Sequence, residues 1–264
     1  MDILSAIIMG IVEGLTEFLP VSSTGHMIMT ADLLNLSGDK LKTFEIVVQL
    51  GAVLAVALLY WRKYMQILRH WRDVKTEKRL NLVHLFLAMV PAVVIGLALH
   101  SLIKEYLFGS QTVLISLVAG GVLILIADRK NRKITAETMD DISYRQAFGI
   151  GLFQCLALWP GFSRSGSTIS GGMLLGTSQK AAADFTFLVS VPIMFGASGL
   201  DLFKSRDLLA SSDLGFFAAG LAASFIVGLI SVVTFLKVIK RVRLSWFAYY
   251  RFAIAILFFL LVVR

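Results

Sequence analysis

Six apolar runs, near residues 44–61, 82–100, 111–128, 182–203, 213–236 and 246–263, restrict this chain more than any other feature. Each is long enough to cross roughly 30 Å of hydrocarbon as a helix rising about 1.5 Å per residue. Hydrocarbon offers a bare backbone no hydrogen-bond partner, so a crossing segment must close its bonds internally, as a helix does. The chain therefore reads as an all-α polytopic membrane protein. Composition points the same way: 57% of the 264 residues are hydrophobic and the mean hydropathy is +0.80, outside the usual soluble range. The basic residues behind the formal net charge of +8 cluster in short connectors between the runs, so no nucleic-acid partner is expected. The one cysteine, Cys155, excludes an intrachain disulfide and, with apolar neighbours, reads as a small buried hydrophobe. No basic leader precedes the first apolar run, which reaches Glu13 before it ends, so no cleaved signal peptide is expected.

Two further apolar stretches are interrupted. Residues 3–19 and 23–34 form one pair, and 146–159 and 166–176 another. No member comfortably crosses a bilayer alone, so each pair is expected to be a re-entrant helix hairpin. The pairs also repeat: an offset of 141 brings Glu13 onto Gln154, Leu15 onto Leu156, Ser22 onto Ser163 and Gly25 onto Gly166, with Pro20 and Pro160 one residue out of step. It persists into the following spans, where Phe44 meets Phe185 and Val48 meets Val189. The expected architecture is one membrane domain, residues 1–264, in repeat halves of about 1–135 and 142–264. Each half holds one hairpin and three transmembrane helices. Three crossings per half make the second enter from the opposite face, an inverted-topology repeat in which the hairpins meet near the midplane. The basic connectors Arg62 to Arg79, Arg129 to Lys133 and Lys237 to Arg243 then share one side, which the positive-inside rule makes cytoplasmic. The first hairpin faces outward.

The chemistry lies in the interruptions. Gly10 to His26 reads GIVEGLTEFLPVSSTGH, with Glu13 and Glu17 one helical turn apart. Pro20 breaks the helix, and Ser22, Ser23 and Thr24 suit the cap of a new one, whose free N–H groups attract an anion. His26, three residues past Ser23, is placed to share its face. The second interruption, Leu158 to Ser170, reads LWPGFSRSGSTIS. Its Gly161, Ser163, Ser165, Gly166 and Thr168 form a phosphate cradle around Arg164, a bidentate clamp. An arginine within the membrane needs an anionic partner, and Glu13 or Glu17 would make an internal ion pair instead of a catalytic group. Together the hairpins supply what phosphoanhydride cleavage needs. Ser22 or Ser23 is a hydroxyl nucleophile, while His26 can serve as base, acid or nucleophile. Arg164 neutralises phosphoryl charge, and Glu13 and Glu17 hold a divalent metal, Mg²⁺ or Ca²⁺, or activate water.

The residues Glu13 to His26 and Pro160 to Gly166 resemble the two signature regions of the undecaprenyl-diphosphate phosphatase family, also called bacitracin-resistance proteins. The similarity extends over essentially the whole chain. The resemblance implies a multi-pass enzyme of the bacterial inner membrane whose site faces the periplasm. It would hydrolyse undecaprenyl diphosphate to undecaprenyl phosphate and so recycle the carrier lipid for peptidoglycan. It also implies Glu13, Glu17, Ser23, His26 and Arg164 as the catalytic set. A homodimer is left open as its assembly.

Other polar residues are weaker candidates. Glu45 and Gln49 lie one turn apart on the first full span; His84 and His100 sit at span ends; Trp61, Trp71 and Trp246 read as interface anchors. The rival function is a transporter or flippase for polyprenyl phosphate, since inverted repeats with broken helices also build transport sites. Transport needs only charge matching, whereas hydroxyls and a histidine beside an arginine are surplus unless a bond is broken.

Overall fold

The structure, a computed structural model, describes residues 2–70, 79–107, 109–129, 133–204 and 213–263. Its α-helices are α1 (Ile3–Thr16), α2 (Ser23–Leu33), α3 (Asp39–Leu59), α4 (Trp61–Arg69), α5 (Leu82–Ala98), α6 (His100–Tyr106), α7 (Ser110–Arg129), α8 (Tyr144–Gln154), α9 (Arg164–Leu174), α10 (Gln179–Lys204), α11 (Leu214–Val238) and α12 (Ser245–Phe258). Among the described residues, five helical stretches, Lys40–Leu59, Ser110–Arg129, Gln179–Phe203, Leu214–Val238 and Ser245–Val263, are long and apolar enough to cross a membrane. The protein is an all-α multi-pass membrane protein. The sixth expected span, near 82–100, is a shorter helix. Helix α5 has 17 residues with Pro91 inside, and the chain turns at Leu99 into the separate helix α6. At about 1.5 Å per residue it reaches roughly 25 Å.

The interrupted stretches fold as two hairpins, α1 on α2 and α8 on α9, the latter joined through a 3₁₀ turn at Cys155–Leu158. Helices α2 and α9 have 11 residues each, so about 16 Å apiece, half the hydrocarbon thickness. The 141-residue offset recurs in the element boundaries: α1 starts at 3 and α8 at 144, while α2 covers 23–33 and α9 covers 164–174. Packing recurs too, with α1 lying along α11 and α8 along α5. Both contacts depend on a glycine at the same repeat position. A methyl group at Gly151 would sit 2.6 Å from the Ala88 carbonyl, and one at Gly10 would collide with the Gly220 carbonyl. Small residues let helices approach where lipid gives no hydrophobic drive to associate.

The main core joins Phe18, Val53, Ile150, Phe187 and Phe235 from both hairpins and their supporting helices. Ion pairs fix the two ends of the bundle. Lys63 to Asp140 (2.6 Å) and Arg243 to Asp128 (3.2 Å) gather the connectors after α3, α7 and α11 at one end. Lys40 to Asp213 (2.8 Å) joins the starts of α3 and α11 at the other. Trp61 and Trp246 are exposed, as interface anchors require. Trp71, Arg72, Lys75, Lys78, Lys130 and Arg132 lie outside the described residues. Cys155 is half-buried, its thiol directed at the Gly151 carbonyl. His84, at the start of α5, is fully buried: it completes a capping box with Asn81, and its ring packs on Tyr144.

Candidate active site

Helices α2 and α9 start alike. Ser22 and Ser163 each have φ of 73°, a left-handed conformation that serines seldom adopt, and each side chain accepts the N–H three residues on, from Gly25 at 3.4 Å and Gly166 at 3.1 Å. Such strain persists only where the surroundings over-determine it, and it gathers at functional sites. The strained caps turn both helix N-termini inward, each with the partial positive charge that draws an anion.

Glu17 lies between them. Its Oε1 accepts from Arg164 Nη2 at 2.9 Å, and its Oε2 accepts from Ser23 Oγ at 2.5 Å. The carboxylate thus links a hydroxyl of the first hairpin to the guanidinium of the second. Arg164 also stacks over Phe18, 5.5 Å from the ring centroid, while its Nη1 is buried and has no partner among the described residues. Helix α9 is buried along most of its length although it carries Ser165, Ser167, Thr168 and Ser170. Ser167 and Thr168 donate to the Arg164 carbonyl of their own helix, whereas Ser165 donates across to the Leu19 carbonyl of the first hairpin.

A cavity of about 750 Å³ opens onto this group. Glu17, Ser22, Ser23, Thr24, Gly161, Ser163 and Arg164 line it, with Gln49 and Gln154. Ser165, Gly166 and Thr168 lie behind it and support the α9 start. Glu13 is 3% exposed and also lies behind, on α1 one turn before Glu17, with Glu17, Glu45 and Arg164 as its charged neighbours. His26 does not meet Ser23, as its spacing had suggested. Its Nδ1 lies 2.7 Å from the Ser22 carbonyl and so carries the proton, leaving Nε2 to accept from the Tyr250 hydroxyl at 2.9 Å. The two rings stack in parallel.

Two residues of α12 escape sequence reasoning. Tyr250 holds His26, and Arg251, fully buried, donates to the carbonyls of Ser116, Leu117 and Gly161. Arg251 thereby ties the Gly161 turn of the second hairpin to α7. A lone arginine within an apolar run was the available signal.

A family profile described as Bacitracin resistance protein BacA matches residues 6–257. The chain belongs to that family. Relatives of the bacitracin resistance family match it nearly end to end. Proteins named Undecaprenyl-diphosphatase 1 from Bacillus thuringiensis subsp. konkukian (strain 97-27) and Bacillus anthracis are each 52% identical over 257 residues, 97% of either chain. One of the same name from Bacillus cereus (strain ZK / E33L) is 52% identical over 262 residues, 99% of either chain. The family matched is the one that the segments around Glu17 and Arg164 resemble.

Proposed function

We infer that this protein is an undecaprenyl-diphosphate phosphatase, releasing inorganic phosphate and the lipid monophosphate, which re-enters peptidoglycan synthesis; bacitracin resistance follows from that activity. The observation that carries the reading is the chain of hydrogen bonds from Ser23 Oγ through Glu17 to Arg164 at the cavity wall. Ser23 attacks the terminal phosphorus as Glu17 takes its proton. The bond from phosphorus to the bridging oxygen breaks, and the lipid monophosphate leaves with the electron pair. Water then adds to the phosphorus, the serine oxygen departs with the proton held by Glu17, and water's surplus proton passes to solvent. Arg164 Nη1 and the N–H groups at the α2 and α9 starts hold the equatorial oxygens throughout. His26 secures the Ser22 turn and takes no part in moving the serine proton.

A divalent cation, Mg²⁺ or Ca²⁺, fits these residues only with the substrate's own oxygens in its shell. Both oxygens of Glu17 are engaged, and among the described residues no group of three or more His, Cys, Asp or Glu is placed to hold a metal. Of the two expected carboxylates, Glu17 lines the cavity and would hold the ion beside the substrate, with Glu13 one turn behind it adding negative charge, and the ion would neutralise diphosphate charge. The inverted repeat is part of the same proposal, supported by the matching hairpins and by the basic connectors gathered at one end. In that arrangement the protein resides in the inner membrane with its site toward the periplasm.

The test is phosphate release by purified protein in detergent, given an eleven-unit isoprenoid diphosphate. Release is expected with Mg²⁺ or Ca²⁺ and is abolished by EDTA. Binding of the lipid without release under any divalent cation would overturn the phosphatase and favour a polyprenyl-phosphate flippase.

A further inference from the structure

The repeat is broken at one contact. Helix α3 packs along nearly its whole length against α11, whereas α10 and α5, the pair related to them by the repeat, barely touch. The gap is the apolar end of the cavity, walled by Met89, Val93 and Leu97 of α5 and by Pro192, Ala197 and Leu200 of α10. Each wall helix carries an internal proline, Pro91 and Pro192. The polar end holds Ser23, Glu17 and Arg164, so one continuous space runs from an anion site to an apolar crevice.

Trp159 stands where the two ends meet. In sequence it lies between Leu158 of the apolar wall and the Pro160–Gly161 turn, and its side chain lines the cavity. Its indole Nε1 is buried without a partner among the described residues. The repeat offset pairs it with Phe18, which is fully buried beneath Arg164. One half thus presents a sealed phenyl ring and the other an indole that lines the cavity and whose buried N–H has no acceptor among the described residues. Native proteins rarely leave a buried N–H without an acceptor, and an indole suits a junction that is apolar on one side and polar on the other.

We propose that the crevice between α5 and α10 seats the first isoprene units of the lipid, and that Trp159 Nε1–H donates to the phosphate that stays on it. This rests on the phosphatase reading. The terminal phosphate then lies against Arg164 and the two helix starts, the lipid-side phosphate against Trp159, and the chain leaves sideways between the two helices. Trp159 contacts substrate and leaving group alike, so it governs binding more than turnover.

Two variants and a binding measurement test this on the full chain in detergent. Gly96 faces the crevice, where a methyl group would stand 3.2 Å from Leu158 Cδ2. Gly96→Leu is expected to raise KM for an eleven-unit isoprenoid diphosphate about tenfold or more, with little change for inorganic pyrophosphate, which has no chain to seat. Trp159→Phe is expected to raise KM about five- to tenfold for both substrates with kcat nearly kept, the loss of one hydrogen bond made equally in ground and transition states. With Trp61, Trp71 and Trp246 changed to Phe, the emission of Trp159 should shift saturably on titration with the eleven-unit monophosphate. Unchanged KM values in both variants, or a silent Trp159 in a protein that still releases phosphate, would overturn the proposal. Absence of phosphate release from the unaltered protein would instead overturn the phosphatase reading.

Discussion

At the residue scale the question is whether Arg164 acts on substrate or only neutralises Glu17. The 2.9 Å ion pair is consistent with both, and substitution separates them. Lysine keeps the charge but loses the planar fork, so Arg164→Lys should insert and melt normally yet lose about 10²- to 10³-fold in kcat. Ser23→Ala should lose at least about 10³-fold without loss of stability. Glu17→Gln with Arg164→Gln removes both charges together and leaves no unpaired carboxylate behind. A stable but inactive double variant supports catalytic roles, whereas recovered phosphate release would reduce the pair to a tie between hairpins. Tyr250→Phe is expected to cost less than about tenfold, since one hydrogen bond to His26 is lost. A loss as large as that of Ser23→Ala would return the imidazole to proton transfer. The hydroxyls, carboxylates and arginine were legible in the sequence because each is costly in an apolar segment. The pairing of Arg164 with one of the two glutamates was legible as well, whereas the partners of Ser23 and His26 were not. Ser23 reaches Glu17 around the kink at Pro20, and His26 finds Tyr250, 224 residues away, which neither periodicity nor motif reveals.

At the element scale, the second hairpin is held by a buried guanidinium. Arg251 enters between α7 and the Gly161 turn because Gly120 and Gly166 have no side chains to obstruct it. A methyl group at Gly120 would collide with the Arg251 side chain and stand 2.6 Å from the Phe162 carbonyl. Gly120→Ala should therefore overpack the site by about 1–3 kcal/mol, read as a lower melting temperature in detergent. Unchanged melting would show that the guanidinium can shift and that the turn does not depend on it. Helix α5 illustrates what hydropathy alone could not give. The run 82–100 is apolar apart from His84 and His100, but the turn at Leu99 ends its helix early, and only packing shows that it stands apart from α10.

At the scale of the molecule, two observations support an inverted arrangement, and labelling tests it. The starts of α3 and α11 meet through Lys40 and Asp213, while the ends of α3, α7 and α11 gather with the basic connectors. Helices α3 and α11 therefore run in the same direction, and the positive-inside rule assigns their shared end to the cytoplasm. In a Cys155→Ser background, a cysteine at Lys40 should react with an impermeant thiol reagent added to intact cells, and one at Arg241 only after permeabilisation. The hairpins give the sharper result. Asp2 and Ser37 flank the first, and Glu137 and Lys180 flank the second, all of them exposed. Re-entrant hairpins from opposite faces require cysteines at Asp2 and Ser37 both to react from outside, and those at Glu137 and Lys180 both to react only from inside. Opposite-side labelling within either pair would mean that the hairpin crosses the membrane. The halves would then have an even number of crossings, the second would enter from the same side as the first, and the strained serines at 22 and 163 would no longer approach the midplane from opposite faces.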